Sequence, residues 1–259
     1  MEPTITLERR GHVLLIGFNR PQKKNAFTLE MLAALAAAYS ELDSDGELRC
    51  GVVFAHGKDF TAGLDLANVA PAIAAGQPLA PTGGVDPWAT HGARCRKPII
   101  VAVHGLCLTL GIELLLAADI CIAAAGTRFG QIEIKRGIFP FGGGTFRWVE
   151  RVGWGNAMRY LLTGDELDAA EALRIGLIQQ VVAPESLLDS AVDLAQRIAA
   201  QAPLGVQATL HNAHISVTNG EAAAASALMP KLRELMGSED AAEGLASFVE
   251  RRQAQFKGK

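Results

Sequence analysis

The sequence predicts an α/β fold, and three observations carry that prediction. Short β-rich runs alternate with helical segments as far as Ala124, the order that right-handed βαβ connections produce. The 259 residues are 49% hydrophobic and 20% charged, enough chain for one large core with a smaller appendage. Beyond Gly142-Gly143-Gly144 the pattern turns almost wholly helical.

Taken in order, residues 4–7 and 12–18 are β-rich runs on either side of Arg9-Arg10-Gly11 and predict a hairpin, which Asn19-Arg20-Pro21 ends. Thr28 is placed to cap a helix whose apolar positions Met31, Leu32, Leu35, Tyr39 and Leu42 follow the helical period. Residues 50–55, 98–103 and 119–124 read as buried strands, with a helical run over 111–117 between the last two. Residues 67–93 are rich in Ala, Pro and Gly without clear periodicity and predict a mobile surface insertion, a candidate lid. Helical periodicity then marks 168–174, 184–200, 204–217, 221–235 and 239–256. The expected division is a core over 1–200 and a C-terminal helical region over 201–259.

Composition narrows the function. Lys plus Arg is 24 and Asp plus Glu is 27, a formal charge of -3, so there is no electrostatic case for a nucleic-acid partner. Cys50, Cys95, Cys107 and Cys121 form no CxxC pair and read as reduced thiols. The N-terminal residues lack the apolar stretch of a signal peptide. The longest apolar run, 99–112, falls short of the ~18 residues of a membrane span. A cytoplasmic protein without a membrane partner is expected. The P-loop, the dinucleotide glycine fingerprint and the serine-hydrolase elbow are all missing. His211 and His214 lie three apart on a helix without a third ligand, so they predict solvent-facing residues and no metal site.

Three segments carry chemistry. In Ala62-Gly63-Leu64-Asp65-Leu66 the chain reverses after a strand and exposes backbone N–H groups. In the run from His104 to Asp119 a strand passes through a glycine turn into an apolar helix, whose N-terminus offers free donors and positive dipole to a developing oxyanion; Glu113 sits in its first turn. In the run from Phe129 to Thr145, Glu133 lies between Ile132 and Ile134, an apolar strand-like setting that raises a carboxyl pKa. Each segment alone has an ordinary structural explanation.

Together, in this order, they resemble the crotonase (enoyl-CoA hydratase/isomerase) family across nearly the whole chain. Asn19-Arg20-Pro21 with Asn25-Ala26 comes first, then Ala62-Gly63-Leu64-Asp65, Gly105 with Glu113, Phe129-Gly130-Gln131-Ile132-Glu133, and the run from Gly137 through Pro140 to Thr145. Leu162-Thr163-Gly164, Gly176-Leu177-Ile178 and the closing stretch from Phe248 to Lys257 fit as well.

The resemblance implies a spiral of ββα units with a helical C-terminal trimerisation region, assembled as a homo-trimer or dimer of trimers. It implies an acyl-CoA thioester substrate and no separate cofactor, CoA being part of the substrate. The amides of Leu64 and Leu110 would hold the thioester oxygen as it becomes an enolate, and Glu113 and Glu133 would add water across a 2-enoyl double bond. Lys23, Lys24, Ala26, Ala62, Asp65, Leu66 and Lys257 would contact CoA. The sequence departs from the family at Leu110, where glycine is usual, and at Gln22-Lys23-Lys24. A double-bond isomerase or other acyl-CoA enolate chemistry, and a non-catalytic CoA-thioester binder, are the alternatives.

Overall fold

The computed structural model describes residues 2–79 and 83–259. β1 (Ile5–Arg10) and β2 (Val13–Phe18) pair antiparallel about the turn at Gly11, whose φ of 61° suits a residue without Cβ. The hairpin thus begins and ends within a few residues of the sequence expectation. α1 (Leu29–Ser44) follows, and the Thr28 hydroxyl accepts from the Met31 amide at 3.3 Å as an N-cap.

β3 (Cys50–Ala55) pairs parallel to β2, and α2 (Leu66–Ala74) follows it. β4 (Ile99–Val103), a short β5 (Leu106–Leu108) and α3 (Leu110–Ala117) come next, then β6 (Ile120–Ala124) and β7 (Arg128–Gly130). The chain goes on through α4 (Gly144–Val152), α5 (Trp154–Thr163), β8 (Glu166–Asp168), α6 (Ala169–Arg174), β9 (Gln180–Val182) and α7 (Leu187–Ala199). α8 (Pro203–Asn219), α9 (Glu221–Met236) and α10 (Glu239–Glu250) close it.

Two sheets organise these elements. The larger runs β1-β2-β3-β4-β6-β9 and the smaller β5-β7-β8. Three times the chain leaves the large sheet, touches the small one and enters a helical segment. After β3 the touch is a single parallel bridge, Thr61 with Cys107; after β4 it is β5, and after β6 it is β7. These are the turns of a ββα spiral. The central strands β2, β3, β4 and β6 are covered on both faces, so they read as continuous apolar runs rather than alternating ones. Val13, Leu15, Val52, Ile100 and Ile122 pack with Leu187, Ala191 and Ala195 of α7 on one face. Leu14, Ile16, Phe18, Val53 and Val101 join Leu35 and Leu42 of α1 on the other.

The structure corrects four expectations. Residues 67–93 do not run as an irregular insertion throughout: 67–74 lie in α2, and 83–93 are anchored. The buried Asp86 carboxylate accepts from the amides of Trp88, Thr90 and His91 at 2.9, 2.8 and 3.0 Å. Trp88 is buried edge-on to Phe27, its indole N–H donating to the Leu110 carbonyl at 3.1 Å. One carboxylate turn and one aromatic anchor fix this segment, and neither leaves a periodic signal. Residues 80–82 of the expected insertion lie outside the described residues. Second, β5 intervenes between Gly105 and α3. Third, the C-terminal half, expected to be almost wholly helical, holds two short strands, β8 and β9. Fourth, His214 is half-buried, its pKa pushed down to about 4 by burial and by Arg94, Arg147 and His211; His211 is exposed as expected. All four cysteines are free thiols. Among the described residues no helix is long and apolar enough to cross a membrane.

Candidate active site

The site is assembled where the loops leaving β3, β5 and β7 converge. Asn25, fully buried, ties the first of these to the chain ahead of α1. Its side chain accepts from the Arg20 amide at 2.7 Å and donates to the carbonyls of His56 and Asp59 at 2.9 and 2.8 Å. Its own carbonyl accepts from the Thr61 hydroxyl at 2.7 Å, and that hydroxyl accepts from the Gly63 amide at 3.0 Å. Phe27 then pairs with Leu64: the Phe27 amide donates to Gly63 O and the Asp65 amide to Phe27 O, each at 2.8 Å. This pairing leaves the Leu64 amide without a protein acceptor among the described residues.

The second loop carries Leu110 into the first turn of α3, where helix geometry leaves the leading amides free. The Leu110 amide likewise has no protein acceptor among the described residues. Both leucines line one cleft of about 260 Å³ with Ala62, Leu66, Leu108, Thr109, Glu113, Ile132, Glu133, Arg136, Ile138 and Phe141. Leu64, Leu110 and Phe141 also line an adjoining hollow of about 470 Å³ that includes Trp88, Ile73 and Leu32. The Leu110 side chain therefore stands where the two spaces meet.

The two glutamates face the cleft in different states. Glu113 Oε1 accepts from the amides of Gly142 and Gly144 at 2.7 and 2.9 Å. Those positions must be glycine, because an added Cβ would come within 2.7 Å of Glu113 Oε2 at 142 and 3.0 Å of Oε1 at 144. Burial pushes the Glu113 pKa up to about 7; the two glycine amides oppose this, and the charge of Glu133 adds to it. Glu133 begins a 3-10 turn (Glu133–Arg136), not the strand-like run expected from its isoleucine neighbours. Its Oε1 accepts from Gln131 Nε2 at 2.8 Å, and the Trp148 indole fixes that amide by donating to Gln131 Oε1 at 3.0 Å. Glu133 Oε2 is buried with no hydrogen-bond partner among the described residues, and burial raises this pKa also.

Of the expected CoA contacts, Ala62 and Leu66 line the cleft. Lys24 adjoins it, since its carbonyl accepts from the Ala62 amide at 2.9 Å, and Lys23 precedes it; both side chains are exposed. The Ala26 carbonyl and the Asp65 carboxylate both hold the Arg20 guanidinium, at 2.8 and 2.9 Å, so Asp65 is engaged with Arg20. Lys257 is not with this group: it lines a separate hollow with Glu239, Asp240 and Glu243.

The sequence reading left Gln131, Trp148, Arg147 and Trp88 without roles. Arg147 is buried and donates to the carbonyls of Gly142 and Ala89 at 3.3 and 3.0 Å, bracing the loop that holds Glu113. The triple glycine was the available signal, because close packing on a carboxylate admits no side chain.

A family model described as enoyl-CoA hydratase/isomerase matches residues 8–259. The chain belongs to the enoyl-CoA hydratase/isomerase family. A crystal structure of a probable enoyl-CoA hydratase/isomerase from Mycobacterium abscessus is 52% identical, with a TM-score of 0.96 and 99% of each chain covered. A probable enoyl-CoA hydratase of Rhizobium meliloti is 37% identical over 98% of each chain, and a carnitinyl-CoA dehydratase of Salmonella arizonae is 35% identical over the full length of both. The expected α/β fold is that of this family, and the match to the Mycobacterium abscessus crystal structure spans 99% of the chain.

Proposed function

We propose that this chain hydrates a 2-enoyl-CoA thioester by syn addition of water. The observation that carries the reading is the pair of buried carboxylates in one cleft, flanked by two amides without acceptors among the described residues. The Leu64 and Leu110 amides receive the thioester oxygen and stabilise the negative charge it gains as the enolate forms. Glu113, held through Oε1, takes a proton from water as its oxygen bonds to the β-carbon. Glu133 delivers a proton from its unpartnered Oε2 to the α-carbon. The double bond becomes a single bond, with one hydroxyl and one hydrogen added. A base titrating near neutrality, as Glu113 does, suits general-base work at physiological pH.

Lys23 and Lys24 grip the CoA phosphates at the cleft mouth, and the acyl group extends past Leu110 toward Trp88. The protein works as a homo-trimer or dimer of trimers, joined through the C-terminal helices.

The deciding experiment compares Glu113→Gln with the parent protein on two reactions: hydration of 2-enoyl-CoA esters, followed by loss of the conjugated chromophore, and 3-enoyl to 2-enoyl isomerisation. Hydration should fall by roughly 10²–10⁴ in kcat while isomerisation persists. Undiminished hydration would overturn the reading in favour of an isomerase resting on Glu133 alone.

A further inference from the structure

Thr109 immediately precedes the Leu110 amide and has φ 49° and ψ -112°, dihedrals that a type II′ turn reserves for glycine. Among the described non-glycine residues with positive φ (Lys24, Asn25, Ala89, Thr109 and Arg251), Thr109 alone is β-branched. Such strain persists only where surrounding contacts over-determine it. Here the Thr109 amide donates to Gly130 O at 2.9 Å, and its carbonyl accepts from the amides of Ile112 and Glu113 at 2.9 and 3.1 Å. The hydroxyl does not cap α3 and has no hydrogen-bond partner among the described residues. It is pressed against Gly63: a Cβ added there would lie 2.0 Å from Thr109 Oγ1.

That contact joins the two residues that precede the two free amides, Gly63 before Leu64 and Thr109 before Leu110. The final backbone hydrogen bond between the two segments is Leu108 N–H to Thr61 O, at 3.0 Å; beyond it the chains part into α2 and α3. The Thr109 side chain fills the gap that opens between them.

We propose that Thr109 is a positioning residue: wedged on Gly63, its Oγ1 sets the separation of the Leu64 and Leu110 amides and so the fit of the oxyanion pocket to a thioester enolate. Gly63 is held to glycine both by its φ of 94° and by Thr109 Oγ1, which occupies the place of a Cβ. Catalysis is sensitive to such spacing, a misplacement of about 1 Å costing as much as 10²-fold. The inference rests on these two amides being the oxyanion donors.

The experiment uses Thr109→Ala and Thr109→Ser in the full-length protein. Two readouts are taken: steady-state hydration, and the infrared carbonyl stretch of bound butyryl-CoA, a saturated ester that does not react. Thr109→Ala should lower kcat by about tenfold to a hundredfold with KM within about twofold, and the bound carbonyl should move back toward its solution frequency. Thr109→Ser, which keeps Oγ1, should retain both values. A parent protein that itself leaves the carbonyl frequency unshifted would refute the oxyanion assignment. A shifted parent and an equally shifted, equally active Thr109→Ala would refute the wedge alone. Thermal melts of both variants confirm that each is folded before its kinetics are read.

Discussion

Glu113 shows how a single residue's environment sets its chemistry. Its carboxyl is removed from water, which raises the pKa from the ordinary 4.5 to about 7, while two glycine amides keep the charged form within reach. The raised value has a consequence for stability. Between pH 4.5 and about 7 the folded protein holds a proton that the unfolded chain has released. This group's contribution is therefore fully present below 4.5 and is lost as pH rises through 7. At about 1.4 kcal/mol for each pH unit, the loss is about 3 kcal/mol. Glu113→Gln keeps the acceptor for the glycine amides and removes the charge, so it should be more stable than the parent above pH 7, with the difference shrinking toward pH 4.5. Denaturant melts across that range test this, and a difference independent of pH would contradict it. Leu110 is the second residue-scale case. It stands between the cleft and the adjoining hollow, so Leu110→Gly should widen the range of acyl groups accepted, measured as kcat/KM over a panel of enoyl-CoA esters. An unchanged profile would mean the side chain does not meet the acyl group.

At the scale of elements, the site depends on loops held by groups that never touch the cleft's centre. The turn through Gly142, Gly143 and Gly144 grips Glu113, and Arg147 braces it from α4. Gly142→Ala places a methyl group 2.7 Å from Glu113 Oε2 and should push the carboxylate off its two amide donors. We expect kcat to fall about 10²-fold while CoA-ester affinity, measured calorimetrically, stays within about twofold, because the Leu64 and Leu110 amides lie on other loops. Full activity in this variant would show that the loop is free to relax. Gln131 and Trp148 do for Glu133 what the glycines do for Glu113, fixing one oxygen and leaving the other free.

At the scale of the molecule, α9 and α10 leave Leu228, Met229, Leu232, Met236, Leu245, Phe248 and Val249 about half exposed or more. Apolar faces of this kind usually mark contacts between subunits. Light scattering should give the mass of a trimer or of its dimer, and a concentration-independent monomer would count against the proposed assembly. Lys23 and Lys24 belong to this scale too, since CoA's phosphates would reach beyond the cleft to the surface. Removing both charges should raise KM for CoA esters more than for pantetheine esters of the same acyl group. An equal effect on both would exclude a phosphate role.

By itself the sequence determined the elements whose signal is local. The Thr28 cap, the buried strands and α7 lie where period and capping placed them, while α10 stops at Glu250, short of the expected 256. The ordered motifs were enough to point to the family that the family model matches over residues 8–259. The tertiary structure decided what depends on residues far apart in the chain. No sequence repeat announced the spiral, since its turns share a path between two sheets rather than a residue pattern. Beside the local Asp86 turn, the anchoring of 83–93 rests on Trp88 meeting Phe27, 61 residues away, and the Leu110 carbonyl, 22 away. The Trp148 indole that fixes Gln131, the glycine cradle around Glu113 and the strained wedge of Thr109 on Gly63 are likewise made between segments distant in the chain. A carboxylate's charge state and an amide's free direction follow from what is packed against them, and only the folded chain brings those neighbours together.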